Sequence, residues 1–293
     1  MTVLLWLGIG LAALVAVALG LRAVGAARWA ELVGTHTRTL ESGSVGAQGR
    51  LPSPARFDAH ELVALPPPVQ RYFRAVLTDG QPIIAAATID MAGTMNMSAN
   101  AEQWRPFTSN QRVVTHKPGF LWDAQVNLLP GVPALVEDSY MAGQGRLNAK
   151  LLGLFTVADS HGEGEIARGE FMRYFAESPW YPTALLPSQG VRWEPVDDAS
   201  ASATIVDGRI TLTLLFRFDD AGLIASVHAE SRGAGIGKDG AMVMLRWDCG
   251  LSNYQPQDGM LIPMTGEAAW VRPAGRKVYF VGHVKKLRYE FLP

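Results

Sequence analysis

Four residues in one short stretch combine side chains that could contact a ligand: Arg173, Glu177, Trp180 and Tyr181. Arg173 and Glu177 are four positions apart, so on a helix their side chains pair across one turn. Trp180 and Tyr181 carry large rings with a polar atom, which suits the opening of a cavity that is partly exposed to water. We expect this group either to contact a ligand at the mouth of a cavity or to anchor a helical insertion onto a sheet.

The same region carries acidic residues that could serve a metal or a hydrolase. Asp159, His161, Glu163 and Glu165 lie close together, but no H-E-x-x-H pattern and no cysteine cluster accompanies them. Acidic side chains also suit the N-terminus of a helix. A hydrolase using acidic residues in the 159–177 region requires two carboxylates that converge in a cleft with perturbed pKa values. We predict no catalytic residue, no metal and no cofactor.

A glycine-rich segment, Gly233 to Gly240, superficially resembles a phosphate-binding loop. It reads GAGIGKDG, with Asp239 where a phosphate-binding loop has Ser or Thr, and a strand pattern follows instead of a helix. We interpret the segment as a flexible hairpin loop. A serine hydrolase is not indicated either, because the chain has no G-x-S-x-G elbow.

The candidate residues must be positioned by a helix inserted into a sheet. Glu163 to Ser178 has apolar residues near helical spacing, and the predicted helical insertion covers about 163–187. A second, short amphipathic helix is predicted over Val69–Leu77, directly after three prolines. The rest of the chain beyond residue 80 reads as about ten to twelve strands, with Asp207-Gly208 as the strongest hairpin signal.

Short turns between consecutive strands predict an antiparallel meander, because parallel pairs need long crossovers. A large sheet with one helical insertion buries its apolar face by curling around the helix. We therefore predict a mainly β (α+β) fold, a large curved antiparallel sheet or open barrel with a helical insertion. Such a cavity typically holds an apolar ligand or none.

An apolar run opens the chain. The nineteen residues from Val3 to Leu21 carry no charge and no proline, and a helix of that length covers the hydrocarbon thickness of a bilayer. A cleaved signal peptide is the alternative, with Val24 to Ala27 as the cleavage region, but no basic side chain precedes the run. We predict a single transmembrane anchor over residues 1–24, in contact with the lipid bilayer through residues 3–21.

A linker is predicted between the anchor and the folded domain. The pattern from Ala23 to about Thr39 extends the helix, whereas Glu41 to Ala55 is rich in Gly, Ser and Pro. Residues 25–60 are therefore assigned to a helical extension and a flexible linker. Residues 61–293 are assigned to the antiparallel β half-barrel domain.

The charge of the chain is balanced overall and uneven locally. The chain has 26 Lys and Arg against 27 Asp and Glu, with 48% hydrophobic residues, which argues against disorder and against nucleic-acid binding. Residues 272–293 hold six basic residues against Glu290. This basic final strand faces lipid headgroups or, in the alternative that we favour, is an exposed edge protected from pairing by Lys and Arg.

Three segments resemble an uncharacterised bacterial family whose members carry an N-terminal hydrophobic segment. They are LPPPVQRY from Leu65, ESPWYPTALLP from Glu177 and VYFVGHVKKLRY from Val278. The resemblance covers roughly Leu62 to Phe291 and implies no known activity. The strand-rich plan is also similar to periplasmic lipoprotein carriers and lipid-binding half-barrels, which raises the expectation of an apolar ligand without demonstrating one.

The direction of membrane insertion is predicted from opposing signals. Arg22, Arg28 and Arg38 follow the apolar run, and the positive-inside rule would keep the domain in the cytoplasm. The resemblance favours the periplasm or the cell exterior, which we adopt. The lone Cys249 cannot form an intramolecular disulfide that would choose a compartment.

Two functions are expected from these observations. The first is a membrane-anchored, non-catalytic module that binds a lipid or other apolar ligand in the concave face of the sheet. The second is a structural or interaction module of a bacterial envelope complex, which requires a packed interior and an exposed apolar patch. The sequence identifies no protein partner.

Overall fold

Within the part of the chain that the structure describes, the fold is a single large sheet with three α-helices. The computed structural model describes residues 2–45, 54–98, 101–237 and 240–293. The helices are α1 (Thr2–Val45), α2 (Pro67–Val76) and α3 (Glu165–Ala176). Short 3-10 helices cover Ala59–Leu62, Ser178–Trp180, Pro182–Leu185 and Pro187–Gln189. The strands of the described residues are β1 (Ile84–Asn96), β2 (Trp104–Val114), β3 (Gly119–Leu129), β4 (Val132–Met141), β5 (Gln144–Leu151), β6 (Phe155–Gly162), β7 (Arg192–Asp197), β8 (Ser200–Asp207), β9 (Ile210–Phe218), β10 (Ile224–Ile236), β11 (Met242–Gln257), β12 (Met260–Arg272) and β13 (Gly275–Phe291).

The strand order is β6-β5-β4-β3-β2-β1-β13-β12-β11-β10-β9-β8-β7. Neighbouring strands pair antiparallel throughout, so the predicted fold class is confirmed. The described residues form thirteen strands, slightly more than expected. The Asp207-Gly208 signal lies at the β8–β9 hairpin, where Asp207 pairs with Ile210 and Gly208 has a positive φ of 54°.

The sheet curls around α3. The segment from α3 to the last 3-10 helix connects the two edge strands, β6 and β7, and packs against the inner face of the sheet. Phe171 stacks on Tyr140 of β4 with ring centroids 4.7 Å apart, and Phe175 meets Phe216 of β9 at 5.5 Å. One short helix therefore buries apolar rings against both halves of the sheet.

Helix α2 packs against one end of the curled sheet. Its first residues are Pro67 and Pro68, whose fixed φ suits the first turn of a helix. Tyr72 and Phe73 are fully buried, and Phe73 contacts Trp193 of β7 with ring centroids 6.4 Å apart. The structure thus places the predicted helix one or two residues earlier than the sequence pattern.

Helix α1 has two different halves. Its apolar side chains from Leu5 to Leu21 are exposed, and it is long and apolar enough to cross a membrane or to be a signal sequence. Its second half lies on the outer, convex face of the sheet, where Trp29 and Leu40 are buried. The helix continues through Val45, so the start of the predicted linker is helical, and residues 46–53 of that linker lie outside the described residues.

The basic final strand does not form an edge. β13 pairs with β1 on one side and β12 on the other, in the middle of the sheet. The edge-protection interpretation is therefore wrong. Basic side chains of this strand instead face carboxylates: Arg276 contacts Glu267 at 2.5 Å, and Arg288 lies 3.7 Å from Asp90.

Candidate functional site

Helix α3 carries Arg173 into the concave side of the sheet, where it binds three partners. Its Nε donates to Glu177 at 2.7 Å, so the pair expected across one helical turn forms. Its Nη1 donates to Asp138 of β4 at 2.7 Å, and its Nη2 donates to Gln111 of β2 at 3.3 Å. Gln111 in turn donates to the second oxygen of Glu177 at 2.6 Å. The result is a closed hydrogen-bonded ring around one guanidinium.

Aromatic rings cover this guanidinium. The Arg173 Cζ atom lies 4.7 Å from the ring centroid of Trp122 and 5.1 Å from that of Phe120. Such contacts strengthen when water is excluded. Each of the three guanidinium nitrogens of Arg173 therefore donates a hydrogen bond, and its flat face is covered by rings, which is the geometry of a structural arginine.

A second arginine, Arg232 of β10, has a different environment. It is 8% exposed and lies over the rings of Trp247 and Trp270, at 4.5 and 5.8 Å from their centroids. Its Nη2 is 3.9 Å from Glu170 of α3, too far for a hydrogen bond. None of the described residues accepts a hydrogen bond from Arg232, so its donors are open to another acceptor.

Two carboxylates of this group, Glu170 and Asp138, have raised pKa values. Burial, reinforced by the neighbouring Asp138 carboxylate, raises the pKa of Glu170 to about 8, against the opposing effect of Arg232. Burial also raises the pKa of Asp138, although Arg173 opposes this. At neutral pH Glu170 is therefore largely protonated.

A small cavity of about 80 Å³ lies among these residues. Three buried polar atoms in this cluster have no hydrogen-bond partner among the described residues: Asp138 Oδ1, Glu170 Oε2 and Trp122 Nε1. Burial raises the pKa of the Cys249 thiol to about 12, so this cysteine is a neutral lining group and not a nucleophile. The lining residues are Met95, Trp122, Asp138, Arg173, Glu177, Trp180, Arg232, Trp247, Cys249, Gly266, Glu267, Ala268, Tyr279 and Phe280.

The four residues singled out from the sequence separate into two groups. Arg173, Glu177 and Trp180 line the cavity, whereas Tyr181 does not. Trp180 also anchors the insertion, because its Nε1 donates to the Pro263 carbonyl at 2.8 Å. Tyr181 is fully buried and donates its hydroxyl to the Tyr174 carbonyl. Tyr181 thus anchors the insertion and does not line the cavity. Trp180 does both.

Acidic residues between 159 and 177 do not act as one group. Asp159, Glu163 and Glu165 are exposed, and His161 contacts Asp159 at the surface at 3.2 Å. Within the described ranges, no group of three or more His, Cys, Asp or Glu is arranged to hold a metal ion. The glycine-rich segment begins at the end of β10 and continues into its turn, with residues 238 and 239 outside the described residues.

Several residues of the cluster could not be identified from the sequence alone. Asp138, Gln111 and Arg232 lie on strands distant in sequence, and no local pattern connects them to α3. Glu170 offered a signal, because Glu170, Arg173 and Glu177 are three and four positions apart and share one helical face.

Larger grooves lie outside the concave face. One of about 920 Å³ runs between the end of α1 and the turns around Gly143 and Gly208. Another of about 660 Å³ follows α1 past Arg22 and Trp29 to Lys285 of β13. Both are open to the surface and lack the converging buried groups of the concave-face cavity.

Comparisons with known proteins give a match to one family model and remote structural matches, two of which are described below. A model described as a family of unknown function, DUF6920, matches residues 63–289. The LolA superfamily protein NE2245 from Nitrosomonas europaea aligns with TM-score 0.38 and 11% identity over 71% of this chain and 87% of its own. A β-barrel-like protein of the DUF1849 domain from Brucella abortus aligns with TM-score 0.20 and 11% identity, over 74% of this chain and all of its own. A search of curated proteins gave no significant match.

Proposed function

The chain belongs to the DUF6920 family, whose function is unknown. We propose that it is a membrane-anchored, non-catalytic module that binds a lipid or other apolar ligand. The ligand enters the cavity on the concave face. The observation that carries the proposal is the buried guanidinium of Arg232, which stands among aromatic rings with its donors open.

The docked half of α1 supports an anchor over a cleaved signal peptide. Cleavage near Val24 to Ala27 would cut the helix where Gly25 packs against the backbone of Leu152. It would also separate the apolar half from Trp29, which is hydrogen-bonded to the sheet. Intact mass measurement of the membrane-extracted protein tests this point. A mass lacking the apolar run would contradict the anchor.

The chemistry of the lining suggests a ligand with a polar end. Aromatic rings of Trp247, Tyr279 and Phe280 offer apolar contacts. Trp122 offers a buried N–H donor that has no partner among the described residues, and the Arg232 guanidinium lines the same cavity. Both can donate to an acceptor such as an ester or carboxylate oxygen. A buried donor that gains an acceptor recovers its desolvation cost, which favours binding the polar end here.

The size of the cavity requires it to open. A volume of about 80 Å³ is well below the roughly 300–1,000 Å³ of typical ligand sites. Met95 lines the cavity, and Met97, Met242 and Met244 are exposed farther along the same strand ends. Methionine side chains adopt many shapes at low cost, so we place the expansion on this side.

Photocrosslinking tests the ligand site. Membranes containing the full chain are loaded with a diazirine-bearing fatty acid, irradiated and analysed by peptide mass spectrometry. Crosslinks are expected on the strand ends around Met95, Trp247 and Phe280, and Arg232→Met is expected to reduce them several-fold. Arg246→Met is the matched control, because Arg246 is exposed one residue from Trp247. Crosslinks confined to α1 would overturn the ligand site.

A second candidate function is a structural or interaction module of an envelope complex. The observation in its favour is that α3 fills most of the concave face with its own side chains. It predicts no crosslinks in the cavity and unchanged behaviour of Arg232→Met. The same crosslinking experiment therefore separates the two functions.

We propose that the domain lies outside the cytoplasm. Cys249 is buried, so a cysteine introduced at exposed Val206 is the reactive thiol. Labelling of Val206→Cys by a membrane-impermeant maleimide in intact spheroplasts is expected. Labelling only after lysis would place the domain inside the cell.

A further inference from the structure

Two hairpin turns expose large apolar side chains. Leu129 at the end of β3 is 62% exposed, and Phe155 and Val157 at the start of β6 are 60% and 69% exposed. Leu128, Leu152 and Leu154 are half-buried beside them. Exposed apolar clusters of this kind mark surfaces that contact a membrane or another protein. We call residues 128–132 and 152–157 the hairpin tips.

The hairpin tips lie beside α1 at the point where its apolar run ends. Gly25 packs so closely on Leu152 that a Cβ on Gly25 would lie 1.9 Å from the Leu152 carbonyl oxygen. The Arg22 guanidinium lies 4.0 Å from the Cβ position of Gly131 in the other tip. The uncharged run ends at Leu21. Gly25 is four residues further along the helix, which corresponds to a rise of only about 6 Å. Both tips are therefore level with the first turn after the span.

The backbone of the tips is tightly held. The Leu152 N–H donates to the Pro133 carbonyl at 2.9 Å, which joins one tip to the base of the other. Leu152 itself has a φ of 54° and Gly153 a φ of 71°. Asn or Gly fits such a left-handed position better than leucine, whose Cβ is crowded there. Leu152 therefore places an apolar side chain at a turn position that favours Asn or Gly.

We infer that the hairpin tips insert into the headgroup region of the bilayer that α1 crosses, so that the domain is seated on the membrane surface. The occupant is phospholipid, because the tips continue the apolar surface of α1 and are held beside it by direct packing. Arg22 follows the apolar run and lies beside Gly131, and its positive charge suits a position at the level of the lipid phosphates. This inference rests on the proposed membrane crossing of α1 but not on the ligand in the concave face.

Site-directed fluorescence tests the seating. The full chain is reconstituted into vesicles of phosphatidylcholine and phosphatidylglycerol, with an environment-sensitive NBD label on one introduced cysteine. The test positions are Leu129→Cys and Phe155→Cys, both exposed. Val206→Cys is the control, because Val206 borders the same groove as His116 and Lys117, which precede β3 at the end opposite Leu129. An eleven-residue strand separates these ends by about 33 Å.

Shallow nitroxide lipids are expected to quench the labels at positions 129 and 155 several-fold more than the label at 206, with blue-shifted emission. A further label at Leu11→Cys reports the membrane crossing through deep nitroxide lipids. Quenching at 11 with none above the control at 129 and 155 overturns the seating alone. Absence of deep quenching at 11 overturns the crossing, and the seating with it.

Discussion

The indole N–H of Trp29 donates to Oδ1 of Asp123 across 2.8 Å. This bond joins α1 to β3 on the outer face of the sheet, and Trp29 is buried there. A second bond joins His36 to Glu137 of β4 at 2.7 Å. The apolar helix and the β domain are therefore packed together through residues that precede the undescribed segment 46–53.

Trp29→Phe is expected to weaken this docking. The substitution keeps an aromatic ring but leaves the Asp123 carboxylate without its donor, which costs about 1–3 kcal/mol. The measurement is the free energy of unfolding in mild detergent, together with hydrogen exchange of α1. Trp104→Phe is the control, because Trp104 bonds to Glu102 at the surface. Equal stability of Trp29→Phe and wild type would contradict the role of this bond.

Gly25→Ala is expected to push α1 away from the β5–β6 hairpin. The new Cβ would lie 1.9 Å from a backbone oxygen, which cannot rotate away, and overpacking of this kind costs about 1–3 kcal/mol. Gly34→Ala on the same helix is the matched control, because nothing lies within 4 Å of its Cβ position. That control is expected to gain about 0.5–1 kcal/mol. Unfolding midpoints of the two variants should therefore move in opposite directions.

Stability is expected to fall as the pH rises from about 5 to 8. Burial raises the pKa of Glu170 from its ordinary 4.5 to about 8, so in this window the folded state holds a proton that the unfolded state has released. Burial shifts Asp138 in the same direction. Glu170→Gln imitates the protonated acid, so it should flatten the decline and raise stability above pH 8.

Thermal unfolding across the pH range measures this effect. Exposed Glu194→Gln serves as the control and should leave the curve unchanged. An identical pH dependence in Glu170→Gln and wild type would show that Glu170 is charged in the folded protein.

The two buried arginines should respond differently to replacement by methionine. Arg173→Met removes hydrogen bonds to Asp138, Glu177 and Gln111 and leaves buried carboxylates unpaired, which costs about 3–5 kcal/mol. Arg232→Met breaks no hydrogen bond to a described residue, and its neighbour Glu170, with a pKa of about 8, is largely protonated at pH 6. At pH 6 it should cost much less. Chemical denaturation of both variants decides this, and equal losses would make Arg232 a structural residue too.

Local patterns predicted much of the fold. The prolines before Val69 indicated α2, the apolar spacing after Glu163 indicated α3, and Asp207-Gly208 indicated a hairpin, because each signal lies within one element. The pairing of β1 with β13 left no such signal, since it joins the two ends of the domain sequence. The assignment of β13 to an edge was wrong because a charged strand has the same alternation of polar and apolar residues at an edge and in the middle of a sheet.

The candidate site was predictable only where it lies on one helix. Arg173 and Glu177 were found because their spacing fits one helical turn. Asp138, Gln111 and Arg232 reach the same cavity only through the curl of the sheet. Tyr181 was expected near an opening because of its hydroxyl, yet that hydroxyl is satisfied internally by the Tyr174 carbonyl.

The central place of β13 has a consequence for how the protein is made. β1 to β6 and β7 to β13 are each a meander of neighbours, which can pair as soon as they are synthesised. The ladder that joins the two meanders requires β13, which follows the other twelve described strands in the sequence. Until then β1 has a bare edge, and long-range closure is slow. Before β13 pairs with β1, the described strands can therefore form only two separate meanders, and removal of β13 would divide the sheet into two.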